Sequence, residues 1–74
     1  MKAADIANKI KKIIDDMWAQ EIDEKEAKNR IMSILEVREN RIKVIRGKEK
    51  TAVFVRIMGI KRMKTFDELI DSLE

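Results

Sequence analysis

Apolar side chains recur at Ile6, Ile10, Ile13, Ile14 and Met17, with Lys9, Lys11, Lys12, Asp15 and Asp16 on the other faces. Intervals of three and four are the period of an amphipathic helix and predict helix 1 from about Ile6 to about Gln20. Asp5 is the expected N-cap, because its carboxylate can accept from the unpaired amides of the first turn. Trp18 extends the apolar face towards Ile22 and is expected in the core. Asp23 and Glu26 form a D-x-x-E variant of the capping box, flanked by Ile22 and Ala27 in the positions of a hydrophobic staple. Ala27, Ile31, Ile34 and Leu35 then predict helix 2 over about Glu24–Arg38. So short a connection between the two helices implies an antiparallel αα-hairpin.

Residues 39–50 fit two patterns. Ile42, Val44 and Ile45 suit one more helical turn closed by Gly47. They also suit a strand, in which IKVIR and TAVFVRI would pair across RGKEK as a β-hairpin. The helical reading is preferred because Val53, Phe54, Ile57 and Met58 follow the helical period. Thr51 is then the N-cap and Gly59 the C′ residue of a helix 3 over Ala52–Met58. Phe66, Leu69, Ile70 and Leu73, spaced i, i+3, i+4 and i+7, predict a last helix. The Thr65–Glu68 capping box marks one start for it, and the stripe through Ile60 and Met63 marks another near Lys61.

The expected fold is therefore all-α: a small four-helix domain in which an antiparallel helical hairpin is followed by two shorter helices. The alternative is an α+β fold with a hairpin at 42–57. The expected core comprises Ile6, Ile10, Ile13, Ile14, Met17, Ile31, Ile34, Leu35, Phe54, Ile57, Phe66, Leu69, Ile70 and Leu73. With 74 residues, the chain reads as one helical domain over 1–74.

Charge changes the picture more than composition does. Residues 1–40 hold eight basic and nine acidic side chains, and residues 65–74 hold four acids and no base. Between them lie Arg41, Lys43, Arg46, Lys48, Lys50, Arg56, Lys61, Arg62 and Lys64, opposed by Glu49 alone. A field this asymmetric attracts polyanions, so these nine side chains are the candidate nucleic-acid-binding residues. Within 41–64 the only aromatic ring that could stack on a base is Phe54, which fits the core pattern. The last helix lacks the asparagine or glutamine that reads adenine, and it carries Asp67, Glu68, Asp71 and Glu74, which phosphates repel. A sequence-specific helix-turn-helix is thus disfavoured, which leaves non-specific backbone contact or a merely solvated basic face.

Catalysis finds little support. The chain has no histidine and no cysteine, which removes the commonest general base, the thiolate nucleophile and most zinc sites. Ser33, Thr51, Thr65 and Ser72 are the only hydroxyls, and two of them sit at capping positions. Asp15, Asp16 and Glu21 read as a solvated helix face rather than a magnesium site. No catalytic residue, metal site or cofactor is expected, and the chain is read as a non-enzyme. The charged N-terminal stretch does not suit a signal peptide, and no apolar run approaches a bilayer span, so a cytoplasmic protein without a membrane partner is expected.

Two segments carry a resemblance. IIDDMWAQEIDEKEA at 13–27, with its W-x-x-E-I-D-E run at Trp18–Glu24, and VFVRIMGIKRM at 53–63, with its M-G-x-K-R run at Met58–Arg62, are separated by a polar middle. In this the chain resembles a family of small, functionally uncharacterised helical proteins from Gram-positive bacteria. The resemblance implies a compact helical domain and brings no activity with it. Function is accordingly expected to be that of a small accessory or regulatory protein contacting nucleic-acid backbone through 41–64. The alternative is a protein–protein interaction module or homodimeric adaptor, in which the basic segment meets an acidic partner or Glu21, Asp23, Glu24 and Glu26 of a second copy. A monomer, or a weak dimer that dissociates as salt rises, is expected, because exposed ion pairs are screened.

Overall fold

The first periodic segment becomes α1, Ala3–Trp18, in a computed structural model that describes residues 2–47 and 49–71, at Asp71 the backbone only. α1 begins three residues earlier than the spacing predicts. Lys2, in extended conformation, is the N-cap, and Asp5 stands at the third helical position, where its carboxylate accepts from the Lys2 amide at 3.4 Å. An acid there also lies beside the positive end of the helix dipole. The helix ends two residues before Gln20 because Gln20 turns left-handed, at φ 63°. The Gln20 amide donates to the Met17 carbonyl at 3.1 Å and the Glu21 amide to the Asp16 carbonyl at 2.9 Å. This pair of bonds is a Schellman motif with glutamine where glycine is usual.

α2 spans Glu24–Glu36, with the Asp23 carboxylate accepting from the Glu26 amide at 2.7 Å as the capping pattern requires. It stops short of Arg38 because Val37 is extended, and α3, Arg38–Val44, starts immediately after it. The Asn40 side chain reaches back to donate to the Ile34 carbonyl at 3.2 Å, satisfying an acceptor left open at the end of α2. The αα-hairpin is thus present, with a third short helix attached to its end.

Residues 45–50 resolve the two patterns in an unexpected proportion. β1, Ile45–Arg46, and β2, Glu49–Lys50, form an antiparallel pair with Ile45 opposite Lys50 and Arg46 opposite Glu49. The hairpin alternative at 42–57 fails beyond these four residues: Ile42–Val44 belong to α3, and helix resumes at Ala52. Gly47, at φ 62°, makes the reversal, and Lys48 lies outside the described residues. Thr51 stands where the N-cap was expected. Its hydroxyl, however, donates to the Lys43 carbonyl at 2.9 Å and its amide to the Val44 carbonyl at 2.9 Å, so it joins the end of α3 to the start of the next helix.

That helix, α4, covers Ala52–Asp71 and is broken at Gly59, whose φ 77° and ψ 171° lie outside helical space. The expected helix 3 and last helix are its two arms. The second arm follows Gly59 directly, so Thr65 and Glu68 sit inside a helix rather than at its start, as the reading near Lys61 has it. Phe54 on the first arm and Phe66 on the second meet edge to face, with centroids 5.0 Å apart and planes at 79°. In a straight helix twelve residues would separate them by about 18 Å. The glycine folds α4 back on itself.

Both arms pack on α1, and helix makes up 81% of the described residues, which fixes the all-α class. The core is Ile6, Ala7, Ile10, Ile13 and Ile14 from α1, Ala27, Ile31 and Leu35 from α2, Val44 from α3, and Phe54, Met58, Phe66 and Leu69 from α4. Met17, Ile34, Ile57 and Ile70, expected within it, are partly buried at its edge, and Leu73 lies outside the described residues. Trp18 departs from expectation: it is 47% exposed. The Schellman turn ends α1 at this residue and leaves the indole on an outer corner instead of over the core.

Two of the three positive-φ positions give opposite predictions. Gly59→Ala places a side chain at a φ/ψ that is essentially confined to glycine, and should cost about 1–3 kcal/mol in urea unfolding. No heavy atom lies within 4 Å of the added Cβ, so the loss is one of backbone strain. Gln20→Gly relieves a left-handed non-glycine residue and should raise stability by roughly 1 kcal/mol.

Candidate binding surface around the hairpin

Eight of the nine basic residues that sequence places in one block are described, and the fold distributes them over several surfaces. Arg62 is turned inward. Its Nε donates to Asp15 Oδ1 at 2.8 Å and its Nη2 to Asp15 Oδ2 at 3.3 Å, the paired geometry in which arginine holds a carboxylate best. Its Nη1 donates to the Met58 carbonyl at 3.2 Å, at the end of the first arm, where Gly59 has interrupted the helical ladder. The same guanidinium lies 5.7 Å from the centroid of the Trp18 ring, within cation–π range. One side chain therefore joins α1, both arms of α4 and the exposed indole. Lys50 is also engaged, its Nζ 2.7 Å from Asp67 Oδ1, which ties β2 to the second arm of α4.

The hairpin has a concavity on each side. One, of about 380 Å³, is lined by Lys43, Arg46, Glu49, Lys50 and Thr51, by Ala3 at the start of α1, and by Ala52 and Val53 at the start of α4. Two helix N-termini thus open beside three basic side chains. First-turn amides lack helical acceptors, and the dipole makes that end attractive to anions. Glu49 opposes this charge locally, and Asp67 offsets that of Lys50. Arg46 is the most solvent-exposed of the three bases.

The other concavity, about 660 Å³, lies between the ends of α2 and α4, α3 and β1. Met32, Leu35, Ile42, Ile45 and Ile70 give it an apolar lining, and Glu36, Arg38 and Arg41 supply the charges. Ile42 is half exposed at its edge. Arg38 belongs to this group although it falls outside the basic block. Its cue is the i, i+3 spacing with Arg41, which becomes meaningful only once 38–44 is known to be helical. Arg56 is exposed on the first arm of α4, and Lys61 and Lys64 share the outward face of the second. Lys48 lies outside the described residues.

Among the described residues no three carboxylates gather so as to hold a metal ion, and no helix is long and apolar enough to cross a membrane. Asp15, weighed above for magnesium, faces Arg62 instead.

A family model described as "Conserved hypothetical protein" matches residues 2–71. Comparison with the curated proteins and with the solved structures gives no match.

The Arg62 contacts can be tested as a double-mutant cycle in chemical denaturation. Both partners are about one-third exposed, which weakens the pair, while bidentate geometry strengthens it. Arg62→Ala and Asp15→Ala should show a coupling energy of roughly 0.5–1 kcal/mol. Arg62→Ala should cost more than Asp15→Ala, since it also leaves the Met58 carbonyl and the Trp18 ring without their partner. Strict additivity would mean that the clamp does not hold the fold.

Proposed function

Because the chain belongs to the CLB_0814 family of conserved hypothetical proteins, we propose a function for it from its own surface: a small, non-enzymatic accessory or regulatory protein that contacts the phosphate backbone of nucleic acid. The observation that carries this reading is the convergence of Lys43, Arg46 and Lys50 with the starts of α1 and α4 on one concavity. Phosphate oxygens suit such a place, since they accept from basic side chains and from helix N-terminal amides alike. The contact is narrower than the block 41–64. Arg46 leads it, and Arg62 acts structurally.

Binding of this kind is independent of base sequence. Phe54 is buried, Trp18 lies at the far corner of α1, and Asn40, the sole amide side chain after residue 37, is bonded to the Ile34 carbonyl. Among the described residues neither a stacking ring nor an adenine-reading amide is left beside the hairpin. A cytoplasmic setting, supported by the lack of cysteine, and a Gram-positive bacterial origin, supported by the family resemblance, complete the reading.

The test is fluorescence anisotropy with labelled duplexes of unrelated sequence, titrated from low to moderate salt. Arg46→Gln should weaken binding equally for all duplexes and flatten the slope of log affinity against log salt by about 0.9. Lys64→Gln, on the outward face of α4, should leave the slope unchanged. Absence of binding at low salt, where backbone contacts are strongest, would remove the proposal.

A further inference from the structure

The apolar concavity on the other side of the hairpin calls for a different partner. Its volume, about 660 Å³, is that of a pocket for a large side chain or small ligand, and its lining is mostly aliphatic, with Arg38 and Arg41 outnumbering the one acid, Glu36. Its complement is an apolar knob ringed by acids. The chain itself carries such a knob, at the opposite end of α2. Trp18 is 47% exposed, and Glu21, Asp23 and Glu24, all exposed, follow it through the connection and into the first turn of α2. α2, whose thirteen residues cover about 18 Å, separates this knob from Met32, Leu35 and Glu36 at the groove. No molecule can therefore fill its own groove with its own Trp18.

We propose that the groove receives Trp18 of a second copy of this chain, with Arg38 and Arg41 facing Glu21 and Glu24 of that copy. A rigid aromatic in an apolar pocket, surrounded by complementary charge, is the usual make-up of an interface anchor. Knob and groove are different surfaces, so the contact is heterologous. Each added copy keeps one free knob and one free groove, and the product is a head-to-tail chain or a closed ring. Arg62 covers part of the indole at 5.7 Å and fixes its orientation, which lowers the ordering cost of docking. With one aromatic anchor and an exposed charged rim, the association is weak and loosens as salt rises. This inference is independent of the nucleic-acid reading, and its test contains no nucleic acid.

The test uses complementary defects in the full chain. In low salt, sedimentation velocity up to millimolar concentration should show the wild-type mass rising with concentration. Trp18→Ala (no knob) and Arg38→Glu/Arg41→Glu (no charged groove) should each stay monomeric. Mixed, they should form a 1:1 dimer and nothing larger, because the Trp18→Ala copy still offers a groove and the other copy still offers a knob. Trp18 is the chain's one tryptophan, so in that mixture all indole emission comes from the docked knob, and it should shift to the blue and saturate at one equivalent. If Trp18→Ala proves unfolded by circular dichroism, Glu21→Lys/Glu24→Lys serves as the knob-defective copy, with the same outcome read from the mass. A wild type that is monomeric throughout would overturn the proposal. So would single variants that associate as the wild type does. A mixture that stays monomeric while the wild type associates would also overturn it, by showing a symmetric contact elsewhere.

Discussion

Everything in this fold depends on the chain reversing at Gly59. α4 has enough helix-forming residues to run straight, and a straight α4 would place Phe54 and Phe66 on the same core but far apart. The glycine, at φ 77° and ψ 171°, lets the second arm return so that the two rings meet at 5.0 Å. An edge-to-face pair of this kind adds about 0.5–1.5 kcal/mol to the burial of the two rings. α4 then joins α2 and α3 in covering α1 and its isoleucines at 6, 10, 13 and 14. Arg62 holds the turn from outside, donating to the Met58 carbonyl and attaching the second arm to Asp15 of α1. The cost of the reversal shows at its apex, where Ile60 is left 90% exposed.

The reversal also decides what the basic block can do. Nine cations in twenty-four residues read as one patch, but folding directs Arg62 towards Asp15 and Lys50 towards Asp67, and it leaves Lys61 and Lys64 exposed on the second arm of α4. Around β1 and β2, Lys43 and Arg46 lie on one side with the two helix starts, and Arg38 and Arg41 lie at the concavity on the other. A six-residue hairpin thereby separates two kinds of surface, one suited to anions and one suited to an apolar anchor with acidic neighbours.

The helical parts were legible in the sequence where periodicity and capping agree. Asp23 caps α2 as its pattern requires, and Gly59 ends an arm of helix where a C′ glycine belongs. Legibility failed where a local signal had two meanings. Thr65-x-x-Glu68 is a capping box only at a helix start, and inside a helix the same residues are merely one turn apart. Asp5 suits an N-cap or a first-turn position equally. Ile42–Ile45 satisfied both helix and strand, and the chain changes from one to the other at Val44. Trp18 was misjudged for a different reason: its burial depends on where α1 stops, and a left-handed glutamine gives little warning in sequence. The long-range pairs, Arg62 with Asp15 and Lys50 with Asp67, follow from the reversal and leave no trace in spacing. Val44 and Met58 enter the core for the same reason.

The reversal itself is open to a direct measurement, because the chain has two phenylalanines and no more. In protein labelled with ¹³C on phenylalanine rings alone, nuclear Overhauser contacts between distinct rings can arise only between Phe54 and Phe66. The folded-back α4 predicts strong ring-to-ring contacts, with the edge protons of one ring shifted upfield by the face of the other. A continuous α4, with the rings about 18 Å apart, would give none. Their absence in the folded monomer would contradict the account.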